Sequence, residues 1–407
     1  MPDSFSQRLL QAIGAERERR APPADFPALP PLPAGRYRDP AFLALERDAL
    51  WRGGWLYAGH ADELPAPGSF LVWDRLGAPV ILLRHPDGEP RAFFNACRHR
   101  GGPLVDAKSG CLDTQLRCRY HGWSYDFDGR LSGLRDRRDF PQLAPADCRL
   151  ASLRCERFGN WIFVNADPEA EPLRDWLGPV GDYFERLDLD SLRLVHRELF
   201  DINCNFKILL EGFLEVYHLG NVHTGTVDRF LDYRATLMLL WPRGHSCMLT
   251  ANRSRDWQDP GARGMPEIGG ATDLERHNNP SLHLFPNLVT PVAATGLPFN
   301  LLWPQGDERS LLEVLWFAPG WGDGERPALW ERRIENYNRI LREDIELVER
   351  IQENLRSPGM PDPLLGYAER RIYYWHEQLD QRIGAERIPP GLRVPPRLNA
   401  LVTEDWP

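Results

Sequence analysis

Two pairs of cysteine and histidine carry the metal-binding chemistry that is easiest to recognise in this 407-residue chain. The first pair is Cys97-Arg-His99 and the second is Cys118-Arg-Tyr-His121, with eighteen residues between His99 and Cys118. Structural zinc sites usually segregate their ligands, as a cysteine pair followed by a histidine pair. Two mixed pairs on facing loops can instead place both thiolates on one metal ion and both imidazoles on another. The spacing therefore predicts a binuclear metal site.

The residues around the two pairs favour an iron–sulfur cluster. Two histidines that replace two cysteines on one iron define the Rieske type of 2Fe–2S cluster and raise its reduction potential. Gly101, Gly102 and Gly122 let the backbone approach such a cluster closely, and Pro103 stiffens its loop. A structural zinc site and a chance grouping of core residues stay open as alternatives. The predicted cluster ligands are Cys97, His99, Cys118 and His121.

A second group of metal-binding residue types lies in Glu215-Val-Tyr-His218-Leu-Gly-Asn-Val-His223. Glu215 and His218 are three apart and share one face if this segment is helical. His223 follows five residues later, so we expect a helix break at Gly220 and Asn221 to bring it back toward His218. Two neutral imidazoles and one carboxylate form the facial triad of a non-haem ferrous site, with open positions for dioxygen.

The candidate for the third iron ligand is Asp344, in the middle of a late amphipathic helix and flanked by Ile345 and Val348. Glu343 or Glu346 could take its place. A histidine pair beside a carboxylate is also compatible with a hydrogen-bonded core network. The upstream cluster motif favours the iron site, because a one-electron centre and a candidate iron centre are complementary parts of one reaction.

Composition restricts the remaining classes of function. The net charge is −9, which argues against the basic footprint of a nucleic-acid binder. No stretch approaches the ~18–20 uncharged apolar residues that span a bilayer, and the first twenty residues lack the apolar core of a signal peptide. We therefore expect a cytoplasmic chain that binds neither nucleic acid nor a membrane. Seven cysteines in such a chain are more typical of metal ligands and buried thiols than of a disulfide framework.

The elements that must position these residues change character along the chain. Short β-branched and aromatic runs between Trp55 and Asn165 predict a small antiparallel β domain. Later segments predict one helix over about 173–187, one strand over 281–289 and a long helix over about 327–355. We predict an α+β fold. Its parts are an N-terminal helix and Pro-rich arm that packs with the catalytic domain (1–44), a 2Fe–2S domain (45–165) and a catalytic non-haem iron domain (166–407).

Together these residues resemble the large (alpha) subunits of the Rieske non-haem iron oxygenases, also called aromatic-ring-hydroxylating dioxygenases. The resemblance extends from about residue 38 to residue 385. Its elements are Cys97-x-His99-Arg-Gly with Cys118-x-x-His121-Gly-Trp, Asn205-Phe-Lys ahead of Glu215-x-x-His218-x4-His223, Phe285-Pro-Asn287-Leu, and Glu343-Asp344.

The resemblance implies a small all-β Rieske domain and a larger catalytic domain with a curved antiparallel sheet flanked by helices. The implied cofactors are one Rieske 2Fe–2S cluster and one mononuclear Fe(II) held by His218, His223 and Asp344. Electrons come from NAD(P)H only indirectly, through a reductase with or without a ferredoxin. The family forms homotrimers, with or without a small beta subunit, and electrons cross between neighbouring subunits. Glu215 would link His218 to His121 of a neighbouring subunit.

The resemblance also implies a terminal oxygenase that uses dioxygen to hydroxylate a small organic, preferably aromatic, substrate. The alternative is a Rieske monooxygenase or N-demethylase that acts on a quaternary or methylated amine. The position of Glu215 is more often Asp, and Glu occurs in members that act on quaternary amines as well as in others. In this chain Phe206 stands where the family usually has tryptophan, and Gly212 stands where it usually has asparagine. Residues that could line an apolar pocket are Phe213, Leu214, Phe230, Leu231, Phe285 and Trp316.

Two other classes of protein compete with the oxygenase. A pure electron carrier has no use for the ~240 residues that carry their own iron triad, and a zinc-stabilised binding protein would be colourless. The region from Arg84 to Arg138 is locally basic, which fits either a solvated surface or a docking patch for an acidic electron donor. Its basic residues include Arg91, Arg98, Arg100, Lys108, Arg117, Arg119, Arg135, Arg137 and Arg138.

Overall fold

The computed structural model describes residues 4–75, 77–144, 148–322, 324–357 and 359–406. These residues form two compact units. One unit comprises residues 50–176, and the other joins the segment before residue 50 to the segment from residue 177 onward. The cluster motif lies in the first unit and the iron motif in the second, so each unit is described by itself.

Helices and strands alternate along the described chain as the mixed sequence pattern predicts. The α-helices are α1 (Ser4–Glu18), α2 (Pro40–Gly53), α3 (Leu173–Leu177), α4 (Pro179–Glu185), α5 (Phe206–Phe213), α6 (Leu219–Val222), α7 (Asp273–His277), α8 (Leu329–Leu355) and α9 (Arg370–Ile383). The strands are β1 (Leu56–His60), β2 (Ser69–Trp73), β3 (Val80–Arg84), β4 (Pro90–Phe94), β5 (Ser109–Cys111), β6 (Leu116–Arg117), β7 (Ser124–Tyr125), β8 (Leu131–Gly133), β9 (Ser152–Phe158), β10 (Trp161–Asn165), β11 (Leu192–Ile202), β12 (Leu231–Leu240), β13 (Ser246–Asn252), β14 (Asn278–Leu284), β15 (Leu288–Pro291), β16 (Leu297–Pro304) and β17 (Ser310–Pro319).

The unit of residues 50–176 is built on strands. A seven-stranded sheet has the order β1-β10-β9-β4-β3-β2-β5, and a three-stranded sheet has the order β6-β7-β8. The buried core includes Phe70, Ile81, Phe93 and Tyr125, and the thiols of the cluster motif belong to the same core. The short strands β6 and β7 pair antiparallel, with Leu116 opposite Tyr125. This pairing holds one loop of the cluster motif at the edge of a buried core.

The other unit contains a seven-stranded antiparallel sheet of order β11-β17-β16-β15-β14-β13-β12. Cross-strand pairs place Met238 opposite Met248 and Pro298 opposite Trp316. Helix α8 packs on the face that carries Trp316, whose ring centroid lies 5.7 Å from that of Trp330. This sheet and its helices form the fold that the resemblance implies.

A chain of buried hydrogen bonds joins the N-terminal arm to α5 and α9. Arg36 is 0% exposed, and its guanidinium lies 2.7 Å from Asp380 and donates to the Nδ1 of His376 at 3.1 Å. The Nε2 of His376 lies 2.9 Å from Glu211, which also accepts the hydroxyl of Tyr37 at 2.7 Å. Burial raises the pKa of Glu211 to about 7, although Tyr37 and nearby cations oppose the rise. This network ties the arm to the helix that precedes Glu215.

Two expected elements are each divided in the structure. The helix expected over 173–187 is two helices, α3 and α4, because Gly178 has a φ of 47° and Pro179 starts the next helix without an N–H donor. The strand expected over 281–289 is a hairpin of β14 and β15, in which Leu284 pairs with Leu288. Pro286 cannot donate a ladder hydrogen bond, so the strand ends before it.

None of the helices in the described part of the chain is long and apolar enough to cross a membrane.

Candidate functional site

The two loops that carry the cysteine–histidine pairs close in the same way. The amide of Gly101 donates to the carbonyl of Cys97 at 2.9 Å, and the amide of Gly122 donates to the carbonyl of Cys118 at 3.0 Å. Each glycine stands four residues after its cysteine and has a φ near +75°, which favours glycine over any residue with a Cβ. The chain thus forms two matching turns, each with a thiol at its start.

The two thiols lie in a buried and tightly packed environment. Cys97 is 4% exposed and Cys118 is 2% exposed. A Cβ added to Gly102 would lie 2.9 Å from the sulfur of Cys118, so only glycine allows the two loops to approach this closely. Burial raises the pKa of Cys97 and the nearby Cys118 thiol raises it further, while the hydroxyl of Tyr125, 3.2 Å from the sulfur, opposes the rise. A metal cation would remove the cost of ionising these thiols, so the pair fits metal ligation.

The two histidines of the pairs face each other. The Nδ1 atoms of His99 and His121 are 3.0 Å apart, and their ring centroids are 4.4 Å apart. Trp123 stacks on His99 with 4.9 Å between centroids, and Tyr120 lies against His121 at 3.8 Å. Burial, followed by the charges of His121 and Arg100, lowers the pKa of His99 and favours the neutral imidazole that binds metal. Two thiols and two convergent imidazoles fit a 2Fe–2S centre of the Rieske type.

The segment of the second motif folds differently from the expectation. We expected Glu215 and His218 on one helical face and a break at Gly220 and Asn221. Instead α5 ends at Phe213, Glu215 lies outside both helices, and α6 runs through Gly220 and Asn221 without a break. The Glu215 carboxylate accepts the amides of Tyr217 and His218, just before α6 begins, so these two donors are satisfied without a continuous helix.

Helix α6 nevertheless brings the two histidines together, with His218 at its N-terminal end and His223 at its C-terminal end. Their ring centroids are 5.1 Å apart. The Oδ1 of Asp344 lies 3.0 Å from the Nε2 of His223 and 3.6 Å from the Nε2 of His218. One ligand atom from each of these residues lies within 4.8 Å of the other two. Two imidazoles and one carboxylate around one point match the facial triad of non-haem ferrous sites.

Carboxylates also contact the other ring nitrogen of each histidine. Glu215 contacts the Nδ1 of His218, and Glu343 lies 2.6 Å from the Nδ1 of His223. Burial opposes protonation of both imidazoles, but these carboxylates and Asp344 outweigh it and raise the pKa of His218 and of His223. A carboxylate on Nδ1 favours the tautomer with Nδ1–H and leaves Nε2 free to bind a metal.

The alternatives for the third ligand have different surroundings. Glu343 faces the Nδ1 side of His223, away from the point where the Nε2 atoms converge. Glu346 is exposed and pairs with Arg350 at 3.1 Å on the solvent side of α8. Of the three acidic residues that we considered, the geometry therefore favours Asp344.

Apolar and aromatic side chains pack around the segment that carries the two histidines. Val216, Leu219 and Val227 form one buried cluster with Leu231, Met238 and Met248 of the sheet. Phe230, Tyr233 and Ile340 pack against this cluster. The ring of Phe230 stacks on that of Trp257, with 4.1 Å between centroids and an angle of 7°. Among the six expected pocket residues, Phe230 and Leu231 pack beside the iron motif.

Three of the other expected pocket residues contact helix α8, helix α9 or Arg371, and lie outside the apolar cluster beside the iron motif. Trp316 meets the ring of Tyr337 at 5.1 Å, and Tyr337 stands on the same helix as Asp344. Phe285 instead packs against Trp375 of α9 at 5.9 Å. Leu214 is buried, and its carbonyl accepts a hydrogen bond from the guanidinium of Arg371.

Sequence reasoning missed several contacts of the two centres. The hydroxyl of Tyr125 meets the sulfur of Cys97, and Thr226 donates to the Glu343 carboxylate at 2.7 Å. The contact of Glu343 with His223 joins residues 120 positions apart. The Glu343-Asp344 pair in the sequence was a usable signal, because consecutive residues on a helix point about 100° apart and can serve two atoms of one centre.

Comparisons with known proteins agree with both candidate metal centres, the cysteine–histidine site and the site of two histidines and one carboxylate. Residues 54–144 match the family described as Rieske [2Fe-2S] domain, and residues 189–385 match Ring hydroxylating alpha subunit (catalytic domain). The carnitine monooxygenase oxygenase subunit of Escherichia coli K12 is 26% identical over 370 residues, which cover 86% of this chain and 93% of that protein. Biphenyl 2,3-dioxygenase subunit alpha of Rhodococcus jostii is 32% identical over 190 residues, which cover 45% of this chain and 41% of that protein.

Solved structures share the fold. The quaternary ammonium Rieske monooxygenase CntA in complex with L-carnitine superposes with a TM-score of 0.72 at 21% identity. The superposition covers 89% of this chain and 99% of CntA.

Proposed function

The chain belongs to the Rieske non-haem iron oxygenases as their large (alpha) subunit, and on this premise we propose that its substrate is a quaternary or methylated amine. It is the terminal component of an oxidoreductase that uses dioxygen. Its cofactors are one Rieske 2Fe–2S cluster and one mononuclear iron, and its electrons come through a reductase. An amine substrate replaces our preference for an aromatic substrate, and the likeness to the carnitine monooxygenase supports it.

The observation that carries the proposal is the excess of carboxylates around the candidate iron centre. Asp344 contacts both histidines, while Glu215 contacts His218 and Glu343 contacts His223. These three carboxylate side chains are 10–29% exposed. One divalent ion neutralises two of the three negative charges. The remaining negative charge lies in a partly buried site, where charges act more strongly than in water, and it favours a cationic substrate over a neutral one.

The stacked rings of Phe230 and Trp257 supply a second feature that suits an ammonium group. A quaternary ammonium binds the electron-rich face of aromatic rings, and Trp is the best of them. Phe230 packs against the apolar cluster of Val216 and Leu219, which flank His218 in the sequence. An aromatic substrate is the second candidate, because Leu231, Met238 and Met248 offer it apolar contact.

In the mechanism that we propose, protein residues hold the iron, orient its ligands and exclude water from the site. When bound, the cluster supplies single electrons and the ferrous ion supplies the activation of dioxygen. His218, His223 and Asp344 would hold the iron. Glu215 accepts the Nδ1 proton of His218 and fixes the orientation of that ring. The apolar cluster beside His218 limits the access of water.

Glu215 also has a proposed role between subunits. We assign to it the link from His218 to His121 of a neighbouring subunit in a homotrimer, with or without a beta subunit. Inter-subunit electron transfer has been described for a quaternary ammonium Rieske monooxygenase. Glu215→Gln keeps the length of the side chain and removes its charge, so with saturating Fe(II) both metal centres should be filled while cluster oxidation slows severely. Rapid mixing of the pre-reduced protein with substrate and dioxygen measures this rate, and a wild-type rate would remove Glu215 from the path.

The basic residues of the Rieske unit are proposed to dock the electron donor, either the reductase itself or a ferredoxin. Of the nine basic residues named above for this region, all except Arg91 are exposed. Arg119, whose side chain is 85% exposed, pairs with Asp106 at 2.9 Å and stands two residues before His121. Exposed positive charge near a cluster ligand would speed encounter with an acidic partner.

A substrate panel tests the amine proposal. Each trimethylammonium compound is paired with its neutral carbon isostere, as choline with 3,3-dimethylbutan-1-ol, and biphenyl and naphthalene represent aromatic substrates. Substrate-dependent dioxygen uptake and product formation are measured for L-carnitine, glycine betaine, both members of each cation–isostere pair, and the two aromatic compounds. We expect uptake with the cations and little with their isosteres. Equal uptake with an isostere, or uptake with the aromatic compounds alone, would overturn the proposal.

Two variants locate the ammonium site. Trp257→Leu removes the ring, and Trp257→Phe is the matched control that keeps one. Because a partly desolvated cation–π contact contributes about 1–2 kcal/mol, the loss should raise KM about 5- to 30-fold in the first variant and much less in the second. Equal effects of the two substitutions would show that the aromatic face is not used.

A further inference from the structure

His223 is held on both sides by consecutive residues of one helix. On its Nε2 side the Oδ1 of Asp344 lies at 3.0 Å, and on its Nδ1 side the Oε2 of Glu343 lies at 2.6 Å. The imidazole itself is 2% exposed. Because α8 spans Leu329–Leu355, both carboxylates stand in the middle of a long helix and not on a mobile end. The position of the ring is therefore determined by a rigid element.

The Glu343 carboxylate has a second partner that aligns it. The hydroxyl of Thr226 donates to the same Oε2 atom at 2.7 Å. Thr226 is fixed by the turn that follows the histidine, since its amide donates to the carbonyl of His223 at 3.0 Å. One oxygen of Glu343 thus receives the imidazole Nδ1–H and the Thr226 hydroxyl, which are both anchored to the same turn.

The outer carboxylate of the other histidine is arranged differently. Glu215 contacts His218 with one oxygen and accepts two backbone amides with the other. It belongs to the same local turn as its histidine, whereas Glu343 reaches His223 from a separate helix. The two iron histidines therefore have unlike partners, and only His223 is fixed from outside its own segment by a helix that also carries Asp344.

We infer that Glu343 and Thr226 form a positioning pair for His223. Glu343 accepts the Nδ1 proton, which fixes the tautomer with a free Nε2, and its charge makes that nitrogen a stronger metal ligand. Thr226 keeps the carboxylate in the plane where the imidazole proton can reach it. This inference rests on the proposal that His218, His223 and Asp344 hold the iron, and it is independent of the substrate.

The test measures metal affinity in the absence of turnover. The purified protein with its Rieske cluster in place is stripped of mononuclear iron, and the dissociation constant for Fe(II), or for Co(II) as a coloured probe, is found by competition with a chelator. Loss of an outer partner of a metal-bound histidine typically weakens binding about 10- to 100-fold. We expect this loss for Glu343→Gln, which keeps the length of the side chain and removes its charge.

Two further variants make the result specific. Thr226→Val should weaken binding less than Glu343→Gln, and the double variant should resemble Glu343→Gln, since Thr226 acts only through that carboxylate. Glu346→Gln is the matched control on the same helix, because Glu346 is exposed and pairs with Arg350. The absorption of the Rieske cluster in each sample reports that the chain is folded.

Three results would overturn the inference. An unchanged dissociation constant for Glu343→Gln would show that the pair does not position His223. An equal loss in Glu346→Gln would show a general charge effect of α8. Loss of metal in Glu343→Gln with full affinity in Asp344→Ala would make Glu343 itself a ligand. A failure of the amine proposal changes none of these affinities, so the two proposals fail separately.

Discussion

A buried ion pair joins the helix that leads into the iron motif to α2, and the loss of one of its partners should cost far more than the loss of one partner of the exposed ion pair beside it. The Nζ of Lys207 in α5 lies 2.8 Å from the Glu46 carboxylate in α2. The two side chains are 0% and 2% exposed. At an effective dielectric constant of about 20, two unit charges at this distance attract by about 6 kcal/mol. The cost of removing both charges from water is of similar size, so the intact pair contributes little.

Removing one partner has a different result. Glu46→Met leaves the ammonium of Lys207 buried and without its partner carboxylate, which typically costs about 3–5 kcal/mol. Burial lowers the pKa of Lys207 and Glu46 opposes that shift, so the variant lysine should lose its proton more readily. The folded variant then binds fewer protons than the unfolded chain, and the destabilisation should grow as the pH falls. The double variant Glu46→Met with Lys207→Met should lie within about 1–2 kcal/mol of the parent.

Hydrogen exchange of the α5 amides, measured by mass spectrometry, gives the free energy of opening for this helix without assuming that the whole chain unfolds in one step. The matched control is Arg47→Met. Arg47 is the next residue of α2 and pairs with Asp307 at 2.6 Å, but these side chains are 47% and 44% exposed. Such a pair contributes about 0–1 kcal/mol. If Glu46→Met costs no more than Arg47→Met, the reasoning from burial is refuted.

Three further outcomes follow from the two centres and the arm. Cys97→Ser or Cys118→Ser should abolish the Rieske signal in electron paramagnetic resonance, and an unchanged signal would contradict the assignment of the ligands. Asp344→Ala should lose mononuclear iron and oxygenation while it keeps the cluster absorption, and full iron occupancy would exclude Asp344 as a ligand. The pKa of Glu211 is raised to about 7, so its contribution to stability is present below about pH 4.5 and is lost as the pH rises to 7. In the Glu211→Gln variant, the free energy of unfolding should therefore fall by about 2–3 kcal/mol less than in the parent between pH 4.5 and 7. Parallel pH profiles of the parent and the variant would refute this prediction.

Local spacing led to the residues that the structure brings together at the two candidate centres. Each Cys–His pair lies within one turn of the chain, so the sequence alone brings its members together. Asp344 was predicted from a helical period in a distant segment, and the structure places it 3.0 Å from His223. Short-range patterns succeed where the side chains that matter are close in the sequence or share a regular element.

The features that sequence reasoning missed depend on contacts between distant segments, or on side chains that take the place of backbone groups in hydrogen bonds. The helix break lies around Glu215 and not at Gly220, because the Glu215 carboxylate takes the place of helical carbonyls as the acceptor of the amides of Tyr217 and His218. The partner of His223 was missed because Glu343 is 120 residues away. The turn at Pro286 was missed because the apolar residues on both sides of it read as one continuous strand.

The division of the catalytic unit into two pieces of sequence affects the order in which it can form during synthesis. Glu46 is made 161 residues before Lys207, and at typical rates of 5–20 residues per second this is a delay of roughly 10–30 s. Residues 50–176 are all synthesised in that interval, before Lys207 and Asp380, the partners of Glu46 and Arg36, are made. Both charges stay hydrated until α5 and α9 appear, so the nascent chain bears no desolvation cost. A nascent chain whose residue 176 has left the ribosome therefore carries a complete cluster unit, while its arm still lacks the side chains that pair with Arg36 and Glu46.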